Sequence, residues 1–502
     1  MVRPLLLLLF SLLACHSQPV GGGAEASGAS GMPDAASAPA KRPNILFVYS
    51  DDHATNALGT YGSSSARTPR LDRLATEGLR FDRAFCTNGI CAPARAVVLT
   101  GQHSHLNGVP DNHGTSVLDP DAVTFPKLLG AAGYQTAMIG KWHLKSDPTG
   151  FDHWEVLPGQ GRYYSPEFLR PDANGVTEKV VYPGYVTEVT TDLALDWLGE
   201  ERDSDKPFLL MVQHKAPHRS WMPGPDEVDL YVGETLPEPP TLFDDYTNRA
   251  SGAAAQEMSI ANHMWMFYDL MVPPIEGEPG FGGNRDELDG PDRWALGWEK
   301  HMSEDELATW NAVFEPANTE YRALRDAGEF EGEAGAAALV RWKYQRYIKN
   351  YLRCINGVDK SMGRLLDALD EAGLAEDTIV VYSSDQGFYL GEHGWYDKRW
   401  MYEESLRLPL IVRWPGVVEP GRTDEHLVQN LDFAQTFLDA AGVDAPAHMQ
   451  GISMLPILRG DEDPTWRDSI YYEYFEVGVH SVPRHYGVRT DRYKLIHYPR
   501  TE

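Results

Sequence analysis

Short apolar runs that end at polar clusters recur along this chain and predict buried β-strands. Four of these runs occupy residues 44–49, 136–139, 208–212 and 378–382. Stretches with helical periodicity lie between and beside them, at residues 68–77, 125–132 and 363–372. Continuous apolar strands that alternate with helices are typical of a parallel sheet covered by helices on both faces. The pattern therefore predicts an α/β fold.

Each of the four runs is followed by polar residues that can bind ligands or take part in catalysis. The first stops at Asp51 and Asp52, and the second at the sequence GKWH, residues 140–143. The third stops at QHKAPH, residues 213–218, and the fourth at DQG, residues 385–387. In parallel sheets, ligands bind beyond the carboxyl ends of the strands. We therefore expect one functional site rather than four solvated loops.

The last part of the chain predicts a smaller layer. Residues 429–442 have the pattern of a helix that ends at a glycine, and residues 469–475 and 493–498 have the pattern of strands. We expect these strands to form a small antiparallel sheet. The predicted division is a catalytic domain over 42–460 and a C-terminal subdomain over 461–502.

The N-terminus has the pattern of a targeting signal rather than of a folded segment. Arg3 precedes an apolar run at 5–14 that is too short to span a bilayer and is typical of a secretory signal. The run ends in LLAC and resembles a bacterial lipobox, which makes Cys15 the lipidated residue of a periplasmic or cell-surface lipoprotein. The alternative is an ordinary signal peptide cut a few residues later. Residues 16–41, rich in Gly, Ala, Ser and Pro, predict a flexible tether.

Composition narrows the class of protein. The chain has 502 residues with 42% hydrophobic content, enough for a large core and against a disordered chain. The formal net charge of -29 argues against nucleic acid as a partner. An anionic substrate must therefore be held by local positive groups. Cys86 and Cys354 either form one disulfide or are two buried free thiols.

The pentapeptide 91–95, CAPAR, is the most informative motif. The run that follows it predicts a helix, with Pro93 near the first turn and Gly101 past the end. This places Cys91 at the positive end of the helix dipole and Arg95 one turn further on the same face. An anion beside Cys91 would meet backbone N–H groups and a guanidinium suited to tetrahedral oxyanions. The alternative is a buried cysteine before a helix.

The acidic residues at two strand ends form an all-oxygen set. Asp51, Asp52 and Asp385 offer carboxylates, and Gln386 offers an amide carbonyl. Such a set suits a hard divalent cation, calcium above all, whereas zinc favours imidazole or thiolate. The alternative for each Asp is a helix cap or a turn residue.

The pentapeptide and the segment 387–416 (GFYLGEHGWYDKRWMYEESLRLPLIVRWPG) together resemble the sulfatases. The resemblance extends from Asn44 to the end of the chain. It implies an alkaline-phosphatase-like fold, in which helices sandwich a large parallel or mixed sheet and a smaller antiparallel sheet closes the site. Residues 385–394 (DQGFYLGEHG) and 485–487 (HYG) are most similar to secreted glycan sulfatases of the N-acetylglucosamine-6-sulfatase type.

The resemblance also implies roles for residues. A maturation enzyme oxidises Cys91 to formylglycine, and the hydrated aldehyde attacks sulfur, after which its second hydroxyl expels sulfate. The further catalytic residues implied are Arg95, Lys141, His143, His218 and Lys398. One calcium ion is implied, bound by Asp51, Asp52, Asp385, Gln386 and the hydroxyl at position 91. Many family members carry Asn or His where this chain has Gln386, which leaves the coordination distance there open.

Several histidines have both a predicted role in the site and an alternative role. His218, in the sequence APH, matches the histidine that protonates the departing alcohol, and histidine titrates in the range this needs. His214 matches a substrate-binding position less closely, and its alternative is a structural role. The alternative to a catalytic role for Lys141 and His143 is that both side chains are simply exposed at the end of the strand. His480 and His485 resemble sugar-contacting histidines, and their alternative is packing of the small sheet.

The predicted activity is hydrolysis of a sulfated glycan. We expect a terminal 6-O-sulfated N-acetylglucosamine residue, reached in a pocket walled by the long irregular insertion 219–338. One rival is a phosphomonoester or phosphonate hydrolase of the same superfamily, and another is a lipid-tethered glycan binder without turnover. Because the chain stops at Glu502, directly after a predicted strand, where relatives continue, we expect an incomplete C-terminal subdomain.

Overall fold

The computed structural model describes residues 42–461 and 463–499. The predictions for the signal region, Cys15 and the tether lie outside the described residues. Within them, no helix is long and apolar enough to cross a bilayer. The strands are β1 Asn44–Ser50, β2 Leu79–Phe81, β3 Ala84–Phe85, β4 Gln135–Lys141, β5 His153–Leu157, β6 Glu167–Pro171, β7 Thr177–Val181, β8 Phe208–Gln213, β9 Thr378–Ser384, β10 Leu410–Arg413, β11 Arg422–Asp424, β12 Val428–Gln429, β13 Ser469–Tyr474, β14 His485–Thr490 and β15 Lys494–His497.

Helices of widely different length connect these strands. They are α1 Pro69–Thr76, α2 Cys91–Thr100, α3 Ser104–Asn107, α4 Phe125–Ala131, α5 Val186–Asp196, α6 Ser251–Ala255, α7 Ile260–His263, α8 Asp292–Ala295, α9 Glu304–Asp326, α10 Gly332–Glu371, α11 Glu403–Leu406, α12 Phe433–Ala440 and α13 Leu455–Arg459. The predicted helices at 68–77 and 125–132 correspond to α1 and α4. The helix predicted at 363–372 is the last part of the 40-residue α10.

A ten-stranded mixed sheet forms the centre of the fold. Its order is β11-β2-β10-β9-β1-β8-β4-β5-β6-β7. The strands β9, β1, β8 and β4, which contain the four predicted runs, are adjacent and mutually parallel. Antiparallel strands extend the sheet on both sides. The prediction of a parallel or mixed sheet is confirmed.

Strand β1 shows why these runs are apolar throughout. All seven of its residues are buried. Leu46 and Val48 pack into one hydrophobic cluster together with α10, and Phe47 and Tyr49 pack into a second cluster together with α2 and α12. A strand covered on both faces has no polar side to expose. Helices therefore sandwich the sheet, as predicted.

The small C-terminal sheet has three antiparallel strands in the order β13-β14-β15. The patterns at 469–475 and 493–498 correspond to its outer strands β13 and β15. The central strand β14 falls where the sequence suggested sugar-contacting residues instead. The predicted helix at 429–442 is shorter in the structure, because residues 428–432 form β12 and a 3₁₀ turn before α12 begins.

The insertion after β8 is more regular than predicted. It contains α9, a helix of 23 residues, and α10 begins within its last residues. Ser303 and Glu306 form a capping box at the start of α9. The sequence pattern of a capping box signals the start of a helix. Pro316, which lies inside α9, argues against a continuous helix there.

The cysteines of the folded part are unpaired. Cys86, Cys91 and Cys354 are all buried and free. The open alternative of a disulfide between Cys86 and Cys354 is therefore wrong, and both behave as small buried hydrophobic residues.

Candidate active site

Four strand ends meet on one edge of the sheet. Asp51 follows β1, Asp385 follows β9, Lys141 ends β4, and the loop with His218 follows β8. Because these strands are adjacent and parallel, their carboxyl ends bring the four polar clusters together. Gly140 permits the close approach of β4 and β8, since its φ is +105° and a Cβ there would lie 2.0 Å from the Gln213 carbonyl oxygen.

Three carboxylates form the centre of the cluster. Asp51, Asp52 and Asp385 are buried, and each offers an oxygen within 4.8 Å of the others. Asp385 Oδ1 accepts a hydrogen bond from the backbone N–H of Asp52 at 3.0 Å. Asp52 has a left-handed backbone with φ of 68°, a conformation that Asp tolerates better than most residues. The turn after β1 therefore holds both aspartates against the end of β9.

Several oxygens of this cluster have no hydrogen-bond partner. They are Asp51 Oδ1, Asp52 Oδ2 and Gln386 Oε1, all buried. Burial raises the pKa of Asp52 to about 6, against the opposing effect of Lys398. Buried acceptors without donors are costly, and an all-oxygen set of this kind satisfies a hard divalent cation. The residues present therefore fit a metal ion.

Cys91 begins helix α2, as predicted. Ile90 is the N-cap, and Gly101 closes the helix with φ of 61°. The backbone N–H of Ala92 is already bound by the Asn112 side chain at 3.1 Å, so not every N–H of the first turn is free. Burial raises the pKa of the Cys91 thiol to about 12, although Lys398 opposes the shift. An unmodified Cys91 is therefore a protonated thiol and a weak nucleophile at neutral pH.

Arg95 binds the protein with most of its donors. One guanidinium nitrogen donates to the Lys141 carbonyl at 2.9 Å and to Gln213 Oε1. The other donates to Asp385 Oδ2 at 3.1 Å, and only Nε is buried without a partner. The predicted guanidinium fork is therefore not free for an anion in this structure. Arg95 instead fixes Asp385 and the end of β4.

Two lysines bind the carboxylates of the acidic cluster. Lys141 Nζ donates to Asp51 Oδ2 and to Gln160 Oε1. Lys398 Nζ donates to Asp52 Oδ1 and lies 3.5 Å from Cys91 Sγ. Burial opposes protonation of Lys398, but Asp52 and the other nearby anionic groups raise its pKa overall. Lys398 is therefore placed to face negative charge that develops beside position 91. Burial holds the pKa of Lys141 well below its usual range, against the opposing effect of Asp385.

His218 has a defined orientation. Its Nδ1 lies 2.6 Å from the Arg219 carbonyl oxygen, which only accepts, so Nδ1 carries the hydrogen. Its Nε2 faces the cluster, 3.8 Å from Asp52 Oδ2. Burial and the nearby lysines, Lys141 first among them, hold the pKa of His218 well below its usual range. His143 is likewise held neutral by burial, and its Nδ1 is buried without a partner.

His214 lies outside the cluster. It is fully buried, and its Nε2 is 3.0 Å from the Ser361 hydroxyl on α10. The substrate-binding interpretation of His214 therefore fails on geometry, because the side chain turns into the core between β8 and α10. His214 therefore has the structural role that was its alternative.

The two C-terminal histidines have different surroundings. His485 is 1% exposed and stacks among Trp400, Tyr472 and Tyr498. No face of its ring is open to a sugar, so the geometry corrects the sugar-contact prediction in favour of the packing alternative. His480 Nε2 lies 3.1 Å from Asp397 Oδ2.

His480 belongs to a network behind Lys398. Asp397 Oδ1 accepts from the backbone N–H of Lys398 at 2.7 Å, and Arg399 pairs with Asp397 at 3.3 Å and with Glu476. Through this network the small-sheet region holds the backbone of Lys398. Asp397 was not predicted, although it precedes Lys398 directly.

A cavity of about 390 Å³ opens beside His218. Lys215 and His218 line it, and the insertion after β8 supplies Arg219, Tyr268, Trp298 and other residues to its wall. This confirms the expectation that the insertion walls the site. Lys215 lies in the run QHKAPH, residues 213–218, in which the sequence predicts a role for the two histidines but not for the lysine. The cavity volume is within the range of roughly 300–1,000 Å³ that is usual for small-molecule pockets.

The site joins three carboxylates that fit a metal ion to a cysteine at a helix start, on a large mixed sheet covered by helices. The sulfatase family profile matches residues 43–443, so the chain belongs to the sulfatase family and is a sulfuric ester hydrolase. A profile described as N-sulphoglucosamine sulphohydrolase, C-terminal, matches residues 391–502.

Individual relatives show which sulfatases this chain is similar to. An N-acetylglucosamine-6-O-sulfatase of Bacteroides thetaiotaomicron is 45% identical over 464 residues, which cover 91% of this chain and 79% of that one. The human N-acetylglucosamine-6-sulfatase is 25% identical, over 86% of this chain and 67% of its own. A solved structure of a protein in complex with its substrate, D-glucosamine-2-N,6-O-disulfate, has a TM-score of 0.83 at 44% identity, covering 91% of this chain and 89% of that one.

Proposed function

We propose that the protein removes the 6-O-sulfate from a terminal glucosamine residue of a glycan, using formylglycine at position 91 and one calcium ion. The observation that carries this proposal is the placement of Cys91 beside Lys398 and the acidic cluster, at the carboxyl ends of four parallel strands. The similarity to N-acetylglucosamine-6-sulfatases supports the choice of sugar.

The calcium part of the proposal is supported by the unpartnered oxygens. Asp51, Asp52, Asp385 and Gln386 would hold the ion together with the side chain at position 91. A bound divalent cation supplies positive charge beside the sulfate oxygens. The all-oxygen ligand set favours calcium over zinc.

The formylglycine part of the proposal is supported by the protonated thiol. Because Cys91 has a raised thiol pKa, an unmodified side chain has little thiolate to offer at neutral pH. A hydrated aldehyde at this position supplies a hydroxyl nucleophile, and Pro93 and Arg95 match the motif that maturation enzymes recognise. A formylglycine-generating enzyme is therefore the proposed maturation partner.

The chain's own residues perform the remaining steps. Lys141 and Lys398 stabilise negative charge on the sulfate oxygens, and Arg95 keeps Asp385 in place. Hydrolysis breaks the bond between sulfur and the sugar oxygen, and that oxygen needs a proton as it leaves. His218 donates this proton from Nε2, since the charge of bound sulfate favours the imidazolium form.

A substrate panel tests this function. The matured enzyme is assayed with 6-O-sulfated N-acetylglucosamine, galactose-6-sulfate, 3-O-sulfated glucosamine, an aryl sulfate and the 6-phosphate of the first sugar. We expect kcat/KM to be at least about tenfold higher for the 6-O-sulfated glucosamine than for any other ester. Preference for another sulfated sugar would refute the sugar assignment, and preference for the phosphate would refute sulfate as the substrate. Binding without turnover of any ester would favour the non-catalytic alternative.

We also propose that the mature protein is anchored at a bacterial membrane through lipidated Cys15, in the periplasm or at the cell surface. The support is the short apolar run that ends in LLAC and is followed by a polar, Gly-rich stretch. Cys15→Ala should move the enzyme from the membrane fraction to the soluble fraction. Wild-type enzyme in the soluble fraction, with its N-terminus beyond Cys15, would contradict the anchor.

A further inference from the structure

The cavity beside His218 has the position expected for the alcohol part of the substrate. His218 lines it, and in the proposed function His218 protonates the sugar oxygen that leaves. The sugar must therefore lie on the His218 side of the scissile bond, where the cavity begins. Gln160, which also lines the cavity, binds Lys141 and so joins the cavity to the sulfate-binding end.

The cavity is electrostatically unusual for so acidic a chain. Among its lining residues, all of them described, there is no Asp or Glu, whereas Arg162, Lys215 and Arg219 are cationic. The chain as a whole has a net charge of -29. A cavity lined by positive groups attracts anionic ligands.

Only one of the three lining cations lacks a carboxylate partner in the described structure. Arg219 forms a two-point pair with Asp269, at 2.5 and 2.7 Å. Arg162 pairs with Glu167 at 3.3 Å. The Lys215 side chain forms no hydrogen bond or ion pair among the described residues, and its Nζ lies 4.7 Å from the centre of the Tyr163 ring.

Lys215 is nevertheless 4% exposed. An ammonium group loses its hydration when it is buried, and a protein normally compensates this with a paired charge. The ring of Tyr163 compensates only part of the loss, because a cation–π contact is weaker than a charge-assisted hydrogen bond. The geometry leaves one anionic partner to be supplied from the cavity.

We propose that Lys215 is an anion-binding residue of the sugar subsite and that it recognises an N-sulfate on the same glucosamine that carries the scissile 6-O-sulfate. The inference rests on the proposed function and extends it. The 2-amino group of glucosamine carries either a neutral acetyl or an anionic sulfo group, and an unpaired cation favours the second. Aromatic side chains such as Tyr268 and Trp298 also line the cavity and suit the faces of the ring.

The test compares two substrates that differ only at the 2-amino group. For the wild type we expect kcat/KM to be roughly 10–100-fold higher for glucosamine-2-N,6-O-disulfate than for N-acetylglucosamine-6-O-sulfate, the range of a hydrogen bond to a charged group. Lys215→Met should remove this preference by slowing only the disulfate, and Lys215→Arg should retain it in part. Lys206→Met is the matched control, because Lys206 is an exposed lysine paired with Asp203.

A second measurement isolates the subsite from catalysis. Glucosamine-N-sulfate and N-acetylglucosamine, which both lack the 6-O-sulfate, are compared as competitive inhibitors, and we expect the first to bind at least about tenfold more tightly to the wild type but not to Lys215→Met. Equal inhibition in the wild type would overturn the inference. So would an equal loss of activity on both substrates in Lys215→Met, which would indicate a role in the chemical step. Turnover of neither substrate by the wild type would instead refute the proposed function.

Discussion

Lys398 Nζ lies 3.5 Å from Cys91 Sγ, although 307 positions separate the two residues in the chain. The same ammonium group binds Asp52, so Lys398 joins the helix start that contains Cys91 to the acidic end of β1. The small-sheet region holds Lys398 in turn, through Asp397 and His480. The reactive position is therefore assembled from segments that only the complete fold brings together.

Removal of the metal should slow turnover strongly without unfolding the protein. Calcium chelation, or Asp51→Asn, should lower kcat on the order of 10²–10³-fold, because charge on the sulfate oxygens loses its strongest stabilisation. Metal analysis should find one calcium per chain, and calcium should raise the Tm of the chelated wild type but not of Asp51→Asn. Glu403→Gln is the control, since Glu403 pairs with Arg489 and Lys494 away from the cluster. Two zinc ions per chain would contradict the assignment.

The contribution of His218 should depend on the leaving group. His218→Asn should lower kcat for the sugar sulfate about 10²–10⁴-fold, because an alkoxide needs a proton as it leaves. An aryl sulfate, whose leaving group is far less basic, should lose less than about tenfold. His214→Asn serves as the matched control, because His214 bonds to Ser361 in the core and should affect Tm rather than leaving-group dependence. An equal loss on both esters in His218→Asn would contradict the proton-donor role.

His485 should affect stability rather than specificity. The ring fills a cluster of aromatic side chains, so His485→Ala should reduce the free energy of unfolding by about 2–4 kcal/mol through the cavity it leaves. Denaturant unfolding measures this loss. KM for the sugar sulfate should stay within about twofold of the wild type under conditions where the variant is folded. Tyr493→Ala, at an exposed position of the same region, should cost little. A raised KM with unchanged stability would restore the sugar-contact interpretation.

Selectivity for the N-sulfated sugar should depend on pH. Burial lowers the pKa of Lys215 to about 8, and Asp52, the thiols of Cys354 and Cys91, and Lys398 are the charged or titratable groups that act on it. A lysine is cationic below its pKa, so the preference in kcat/KM should be complete near pH 6.5 and should fall as the pH rises through about 8. The ratio between the two substrates cancels titrations common to both. A ratio that stays constant between pH 6.5 and 9.5 would contradict an anion-binding role of the Lys215 ammonium.

Much of the fold and of the acidic cluster follows from local pattern. The strands that precede Asp51 and Asp385 are apolar throughout because helices cover both faces of the sheet, and parallel strands end on the same edge. Residue order alone therefore predicts that these carboxylates meet. The start of α2 is equally local, since Pro93 and Gly101 mark its limits.

Other features depend on contacts between distant segments. The sequence HKAPH contains two histidines and a lysine, and nothing local shows that His214 turns into the core while Lys215 faces a cavity without a partner. The sequence likewise does not show that His485 packs against Trp400 and Tyr498, which come from other segments of the chain. Tertiary packing, rather than propensity, decides both cases.

The proposed function requires that Cys91 act after oxidation to formylglycine. Its most direct test is mass spectrometry of the tryptic peptide 84–95 (AFCTNGICAPAR) from enzyme preparations of measured sulfatase activity. We expect the fraction of peptide with an aldehyde at position 91 to equal the active fraction of the enzyme and Cys86 to remain a thiol. Cys91→Ala should be folded and inactive, whereas Cys86→Ala should be active. Fully active enzyme in which every Cys91 is an unmodified thiol would contradict this requirement.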